Sequence, residues 1–204
     1  GQGADEIGAW MVQRDAVWLG LGFFGLLRKS EICAVKVSDF ALDAEGMPYQ
    51  VRIRHSKNDP AGLGEWVPLP RFTGLNFDYR ALVKDFLNRL ASWGWTSDDY
   101  VITKYVHKKV TKQPFGKGGL WARLKELLSR ELTADQLKEY GTHSMRRGGT
   151  THYRTLGMQQ REIMKIGRWR TSCFDIYDET DMRQVAYEQE RILRAPKPWA
   201  TKGG

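Results

Sequence analysis

The chain of 204 residues contains little cysteine and no long hydrophobic run. Its two cysteines, Cys33 and Cys173, are too few for a disulfide framework or a cysteine zinc site, and they favour a reducing compartment. The longest apolar run, residues 16–27, contains three glycines and is shorter than the roughly 20 residues that a membrane span needs. The sequence shows no secretory signal, internal repeat or low-complexity tract. We therefore expect an intracellular protein without a membrane partner.

The hydrophobic content of 41% is sufficient for one packed domain of this length. The chain opens on Gly1 rather than Met, so we expect a fragment or processed form of a longer protein. Apolar residues at helical spacing predict helices over 5–27, 80–93, 120–132, from Thr133, from Thr142 or Ser144 to Gly157, and over 159–166.

The β content is predicted to be small and antiparallel. Residues 35–40 form one candidate strand, and the alternating segment 50–70 predicts a hairpin with Lys57 at its tip. Residues 104–117 contain five lysines and Pro114, which predicts a mobile loop. The fold class is therefore mainly α with a small antiparallel β-sheet or hairpin, that is, α+β.

Positive charge is concentrated in two segments of the chain. The net charge is +8, but residues 141–177 carry seven Lys or Arg against two acidic residues. Residues 104–117 carry five lysines and no acidic residue, which leaves a net charge of −2 for everything else. A positive field confined to two segments indicates a polyanionic partner, and nucleic acid is the commonest one. For 104–117 alone, a solvated lysine surface explains the composition equally well.

The octet THSMRRGG, residues 142–149, places His143 and Arg146 three residues apart at the predicted start of a helix. Residues at this spacing share a helix face, so both side chains can reach one object. An arginine presents two donors to a pair of phosphate oxygens, and a helix N-terminus adds partial positive charge. The octet by itself is equally typical of a capped basic helix that only contacts a DNA backbone.

The segment HSMRRGGTTHYRTLGMQQREIMKIGRWRTSCFDIYDE resembles the C-terminal signature of the tyrosine recombinase (phage integrase) family. Upstream, GLLRKSEICAVKVSDF looks like the first arginine box of that family, with Glu31 as its acidic supporting residue. The resemblance implies six catalytic positions in the family's order: Arg28, Lys57, His143, Arg146, Trp169 and Tyr177. The spacing from Trp169 to Tyr177 is one residue shorter than in many members, so Tyr187 stays the alternative nucleophile.

The resemblance implies a metal-independent strand transfer through a 3′-phosphotyrosyl intermediate. Phosphodiester transfer to a phenol needs a base, charge neutralisation and a proton for the leaving oxygen. His143 can serve as the base, Arg28 and Arg146 can neutralise the phosphate, and Trp169 can donate only through its indole N–H. The role of Lys57 as general acid comes from the resemblance. No cofactor is expected, and the sequence shows no carboxylate cluster for a metal.

Each of these residues also has a structural interpretation. Arg28 could simply pair with Glu31, Lys57 could be an ordinary turn lysine, and Trp169 and Tyr177 could pack in the core. Cys33 and Cys173 are interpreted as buried thiols. The basic residues assigned to DNA backbone or solvent are Arg147, Arg168, Arg170, Lys108, Lys109 and Lys112.

We expect residues 1–204 to form a single catalytic domain with its site residues within 28–177, and an N-terminal DNA-binding domain to be absent from this chain. Residues 178–204 predict an amphipathic helix and tail, which either docks on a neighbouring protomer of a DNA-bound tetramer or packs on its own domain. The expected partner is double-stranded DNA. Two other functions stay open: a type IB topoisomerase-like enzyme, and a DNA-binding module of the same fold without catalysis.

Overall fold

The structure is a computed structural model that describes residues 3–54, 64–71, 77–141, 143–169 and 182–194. Helices predominate and the strands are short, which confirms the α+β class. The elements in chain order are α1 (Ala4–Phe23), α2 (Lys29–Ile32), a 3-10 helix (Val37–Asp39), β1 (Phe40–Leu42), β2 (Pro48–Ile53), β3 (Glu65–Pro68), α3 (Tyr79–Ser92), β4 (Thr103–Val106), β5 (Lys109–Pro114), α4 (Lys117–Leu128), α5 (Ala134–Lys138), α6 (Ser144–Thr155), α7 (Gln160–Gly167) and α8 (Met182–Arg194).

Helix α1 is the central element of the core. Its side chains Trp10, Val17, Trp18 and Leu21 are fully buried, because α3 and α6 pack along it. A helix of 20 residues that buries this much apolar surface contributes a large part of the hydrophobic stabilisation of the domain. The predicted helix 5–27 is confirmed as far as Phe23, where the chain turns toward α2.

The predicted hairpin is confirmed as β2 and β3 of an antiparallel three-stranded sheet with the order β1-β2-β3. Val51 pairs with Val67 on the buried face, whereas Arg52 and Trp66 pair on the opposite face. The tip of this hairpin, including the predicted general acid Lys57, lies outside the described residues.

Two local predictions are wrong. Residues 104–117 were expected to be a loop, but they form most of an antiparallel hairpin of β4 and β5. The expected strand 35–40 contains the 3-10 helix instead, and a strand begins only at Phe40. The reason is Asp39, which is buried and accepts a hydrogen bond from the Lys36 backbone N–H at 2.8 Å, because a short acidic side chain favours a turn over a strand.

Helix α6 packs against the end of α1 and also contacts α7. Gly149 of α6 approaches the main chain at Phe23, and Tyr153 donates its hydroxyl hydrogen to the Phe24 carbonyl at 2.8 Å. Helix α6 ends at Thr155, and Gly157 follows with φ of 87°, in agreement with the predicted helix end. The cap differs from the prediction, since His143 precedes the helix without a capping side-chain bond and Ser144 accepts from the Gly141 N–H. Thr142 lies outside the described residues.

Helix α8 packs on its own chain, against α7 and β3. Val185, Ile192 and Leu193 are buried, and Gln189 donates to the Tyr153 hydroxyl oxygen at 2.5 Å. In this single chain α8 packs on its own domain, and docking on a neighbouring protomer of a DNA-bound tetramer stays a prediction.

None of the helices in the described ranges combines the length and the apolar content that crossing a membrane requires.

We expect Gly149→Ala to lower the free energy of unfolding by about 3 kcal/mol, because the added methyl group would overlap the backbone carbonyl of Phe23. The matched control is Gly8→Ala in α1, where a methyl group meets nothing within 4 Å. That variant should gain about 0.5–1 kcal/mol from helix propensity. Urea unfolding of both variants measures the difference, and equal stabilities would contradict the close approach of α1 and α6.

Candidate functional site

The predicted catalytic arginine Arg146 lies where three parts of the chain meet. It projects from the first turn of α6, is buried, and donates to the backbone carbonyl of Leu26 at 2.6 Å and to that of Gly167. Leu26 belongs to the turn after α1, and Gly167 is the last residue of α7. Arg146 therefore fixes α6 to both neighbouring segments through the main chain, and at least three of its five N–H groups are not used in these two bonds.

The turns that Arg146 contacts are strained. Leu26 has φ of 51° and Arg168, which follows Gly167, has φ of 54°, a left-handed conformation that costs a residue with a Cβ about 1–2 kcal/mol. Residues held in this region are concentrated at functional sites, where the surrounding structure determines them. The strain lies on both sides of the Arg146 guanidinium and supports the choice of this region as the site.

Arg28, the other predicted arginine, forms the start of α2 with Glu31. Glu31 accepts from the Arg28 backbone N–H at 2.7 Å and from its guanidinium at 2.8 Å. Because the acidic residue stands three positions after the cap, it closes the helix start in the usual way. The pairing of Arg28 with Glu31 is thus real, and the side chain of Arg28 stays 20% exposed.

A third arginine, Arg168, reaches the same carboxylate from α7. It donates to Glu31 at 2.6 Å, and the two side chains are only 2% and 3% exposed. Glu65 of β3 lies 3.6 Å from the Arg168 guanidinium. The expectation that Arg168 faces DNA or solvent is therefore wrong, because the left-handed turn at this residue directs the side chain into the domain.

Burial, and after it the neighbouring positive charges of Arg28 and Arg168, lower the pKa of Arg146 to about 10. Glu31 opposes the effect. At neutral pH the guanidinium stays protonated, although its surroundings disfavour the charged form. An anion bound beside Arg146 would relieve this cost, so the electrostatics of the site favour a negatively charged ligand.

Trp169 is held by two of the residues already described. The Arg146 guanidinium carbon lies 4.6 Å from the centroid of its ring, within the range of a cation–π contact. A side chain at Gly167 would collide with the same ring. The ring is partly buried and packs against the hydrophobic core, so the structural interpretation of Trp169 holds beside its contact with Arg146.

His143, Arg146 and Trp169 line one cavity of about 890 Å³ between α6 and α7. The apolar side chains of Ile163 and Met164 of α7 also line this cavity. The rest of the lining is polar or basic and comes from Arg147, Thr150, Thr151, Arg154 and Gln160. A cavity lined by basic and hydroxyl side chains can hold an anionic group.

The structure thus brings together four of the predicted residues, Arg28, Glu31, His143 and Arg146, with Trp169 beside them. Arg28 reaches the group through Glu31 and through its charge on Arg146, and it is not among the residues that line the cavity. The predicted residues Lys57, Tyr177 and Arg170 lie outside the described part of the chain, as does Cys173. Cys33 is buried, as expected.

The lysines assigned to DNA lie on the β4–β5 hairpin. Lys108 and Lys109 are exposed at its turn, where His107 and Lys108 both have positive φ. Lys112 is bonded within its own chain, to Asp99 and to the Gly94 carbonyl, both at 2.7 Å. The first two therefore fit the role of phosphate contacts better than Lys112 does.

Sequence reasoning missed the polar stripe of α6 and the role of Arg168. The stripe was visible as a pattern, since His143, Arg147, Thr151 and Arg154 recur at helical spacing and share one face. No comparable signal existed for Arg168, because its inward direction follows from a backbone conformation that arginine rarely adopts.

Among the described residues, no group of three His, Cys, Asp or Glu side chains could hold a metal ion. No family model and no curated protein matches this chain. The interpretation of the site therefore depends on the residues and their geometry.

We expect Glu31→Ala to lower the free energy of unfolding by about 3 kcal/mol, because it removes the closest carboxylate from the buried Arg168. The control is Lys138→Ala, which breaks an exposed pair with Asp135 and should leave the unfolding midpoint almost unchanged. Thermal and urea unfolding measure both. A loss below about 1 kcal/mol for Glu31→Ala would show that Glu65 alone satisfies Arg168.

Proposed function

We propose that this chain is the catalytic domain of a tyrosine-type site-specific DNA recombinase. The observation that carries the proposal is the position of Arg146, which main-chain bonds fix at the wall of a cavity shared with His143 and Trp169. Arg28 lies close enough for its charge to lower the Arg146 pKa. An arginine, a histidine and an indole at one cavity, with the charge of a second arginine from a distant part of the sequence nearby, are groups that can bind a phosphodiester and stabilise its transition state.

In the proposed reaction, the Tyr177 phenol attacks the scissile phosphate of DNA. A Tyr177 oxygen–phosphorus bond forms while the bond from phosphorus to the 5′ oxygen breaks, which leaves a 3′-phosphotyrosyl intermediate and a free 5′ hydroxyl. His143 takes the phenolic proton, and Lys57 gives a proton to the departing 5′ oxygen. In the second step, the 5′ hydroxyl of a partner strand attacks the intermediate and releases the tyrosine.

The arginines stabilise the charge that develops on the non-bridging oxygens. Arg146 is held before the substrate binds, so little reorganisation is needed when the charge appears. Trp169 packs on the Arg146 guanidinium and limits its movement. The histidine lies at the N-terminus of α6, where its exposed position lets it reach a bound nucleophile.

A recombinase also needs contacts that hold the duplex in register. Arg147 and Arg154 extend the basic lining away from Arg146 along α6, and Lys108 and Lys109 provide a second exposed basic site at the β4–β5 turn. Contacts of this kind go to phosphates and give affinity without sequence information. We propose that double-stranded DNA is the substrate and that strand exchange takes place in a tetramer on DNA.

The test of the proposed nucleophile is covalent trapping on nicked suicide substrates made from DNA that flanks the gene. The wild-type chain should form a protein–DNA adduct linked through a 3′-phosphotyrosine, and Tyr177→Phe should abolish it, because the phenol oxygen is the attacking atom. The matched control is Tyr187→Phe on α8, a residue that is 67% exposed, and it should leave adduct formation unchanged.

An adduct that persists in Tyr177→Phe, or that is lost in Tyr187→Phe, would assign the nucleophile to another residue. DNA binding without any adduct would indicate a non-catalytic module. Relaxation of supercoiled DNA without joining of specific sites would indicate a type IB topoisomerase-like enzyme instead.

We expect the double variant Lys108→Ala/Lys109→Ala to weaken DNA binding and to reduce the slope of log affinity against log salt by about 2, because each lysine releases about one counterion. Fluorescence anisotropy with a labelled duplex between 50 and 200 mM salt, roughly the range in which phosphate contacts dominate, measures the slope. Lys138→Ala removes an exposed lysine outside the two basic segments and serves as the control. An unchanged slope in the double variant would exclude the hairpin from the DNA interface.

A further inference from the structure

We infer that Arg168 is a positioning residue: because it shares Glu31 with Arg28, it keeps N–H groups and positive charge of the Arg28 guanidinium available to the DNA phosphate. The inference rests on the proposed function for its consequence in catalysis. Its structural part concerns Glu31 alone, a carboxylate that two arginines share inside the domain.

The two oxygens of the Glu31 carboxylate accept from different partners. Oε1 accepts from the Arg28 guanidinium, and Oε2 accepts from the Arg28 backbone N–H and from Arg168. Arg28 therefore contacts Glu31 through a single terminal nitrogen at 2.8 Å, and it does not form the two-bond pairing that arginine and carboxylate prefer. Arg168 occupies the oxygen that this pairing would need.

The consequence is both geometric and electrostatic. With Arg168 in place, the guanidinium of Arg28 uses one terminal nitrogen on Glu31, so its other N–H groups are not needed for this pair and can bind an anion. Without Arg168, Arg28 would be the guanidinium that Glu31 keeps among the described residues, and the carboxylate would close on it with both oxygens. The positive charge that Arg28 offers to a phosphate would then be neutralised by its own neighbour, and the site would lose one unit of charge.

Arg168 does not act by touching DNA. Its side chain is 2% exposed, and it donates to the Ile166 carbonyl at 2.9 Å as well as to Glu31. Burial of the arginine is stabilised by these partners and by Glu65, 3.6 Å away. The left-handed backbone at Arg168 directs the side chain to Glu31 while the next residue, Trp169, packs on Arg146.

The decisive comparison is between Arg168→Met and the double variant Arg168→Met/Glu31→Gln. The single variant leaves Glu31 charged, with Arg28 as the guanidinium that bonds to it among the described residues. The double variant removes both charges, so the net charge of the site returns to the wild-type value. Phenylglyoxal modification of Arg28, mapped by mass spectrometry, reports on the pairing of this arginine without DNA.

We expect Arg28 to be modified about ten-fold more slowly in Arg168→Met than in the wild type, and at about the wild-type rate in the double variant, because a two-bond carboxylate shields and stabilises the charged guanidinium. Adduct formation on suicide DNA should fall by about ten- to hundred-fold in the single variant, as expected for a misplaced reacting group, and should recover within about three-fold in the double variant. Thermal unfolding of each variant shows whether it is folded at the temperature of the assays.

The salt dependence of DNA binding separates positioning from direct contact. Arg168→Met should reduce the slope of log affinity against log salt by about 1, because Arg28 is withdrawn from the phosphate, and the double variant should restore the wild-type slope, whereas a direct phosphate contact of Arg168 would leave the slope reduced in both variants. The control for loss of an arginine is Arg191→Met, which removes an exposed partner of Glu188 on α8 and should change neither modification nor adduct formation.

Equal modification of Arg28 in the wild type and Arg168→Met would overturn the inference, and so would a failure of Glu31→Gln to rescue the single variant. If Arg168→Met does not fold, Arg168→Lys, which keeps the charge, should preserve the modification rate of Arg28, and a ten-fold fall would overturn the inference. If the wild type forms no adduct, the proposed function is wrong, and the modification rates still decide whether Arg168 positions Arg28.

Discussion

The attachment of Arg146 to two main-chain carbonyls is the constraint on which the site depends. A side chain bonded to the turn after α1 and to the end of α7 brings together segments more than 100 positions apart in the sequence. Because these carbonyls are buried together with the guanidinium, each of the two hydrogen bonds satisfies polar groups that would destabilise the fold if they were left unpaired. The same bonds that complete the core therefore set the direction of a cation toward the cavity.

The close approach of α1 and α6 makes this attachment possible. Gly149 lets the two helices meet main chain to main chain, one turn after Arg146, and the buried Tyr153 continues the contact to the Phe24 carbonyl. Helix α8 closes the arrangement, because Gln189 donates to the Tyr153 hydroxyl oxygen. The basic cavity thus lies on a rigid base, which a preorganised electrostatic site requires.

Much of the fold could be predicted from the sequence, since the apolar periodicity of α1, α3 and α4 and the alternation of β2 and β3 arise from local patterns of burial. The hairpin of β4 and β5 could not, because its turn has His107 and Lys108 in conformations that normally select glycine or asparagine. The candidate site residues were found from their order along the chain. The direction of Arg168 was not, because one left-handed residue decides whether a basic side chain points to solvent or to Glu31.

The two left-handed residues near Arg146 have a consequence for how this protein can be stabilised. Glycine or asparagine would relieve the backbone strain at Leu26 and at Arg168, but Leu26 is a fully buried core residue and Arg168 pairs with the buried Glu31, so each replacement would lose more stability than the strain of about 1–2 kcal/mol that it relieves. A replacement at Leu26 would also loosen the turn whose carbonyl binds the Arg146 guanidinium. A replacement at Arg168 would remove the side chain that bonds to Glu31. Thermal stability and correct placement of the cations therefore require the same two side chains, which explains why these positions keep residues that the backbone conformation disfavours.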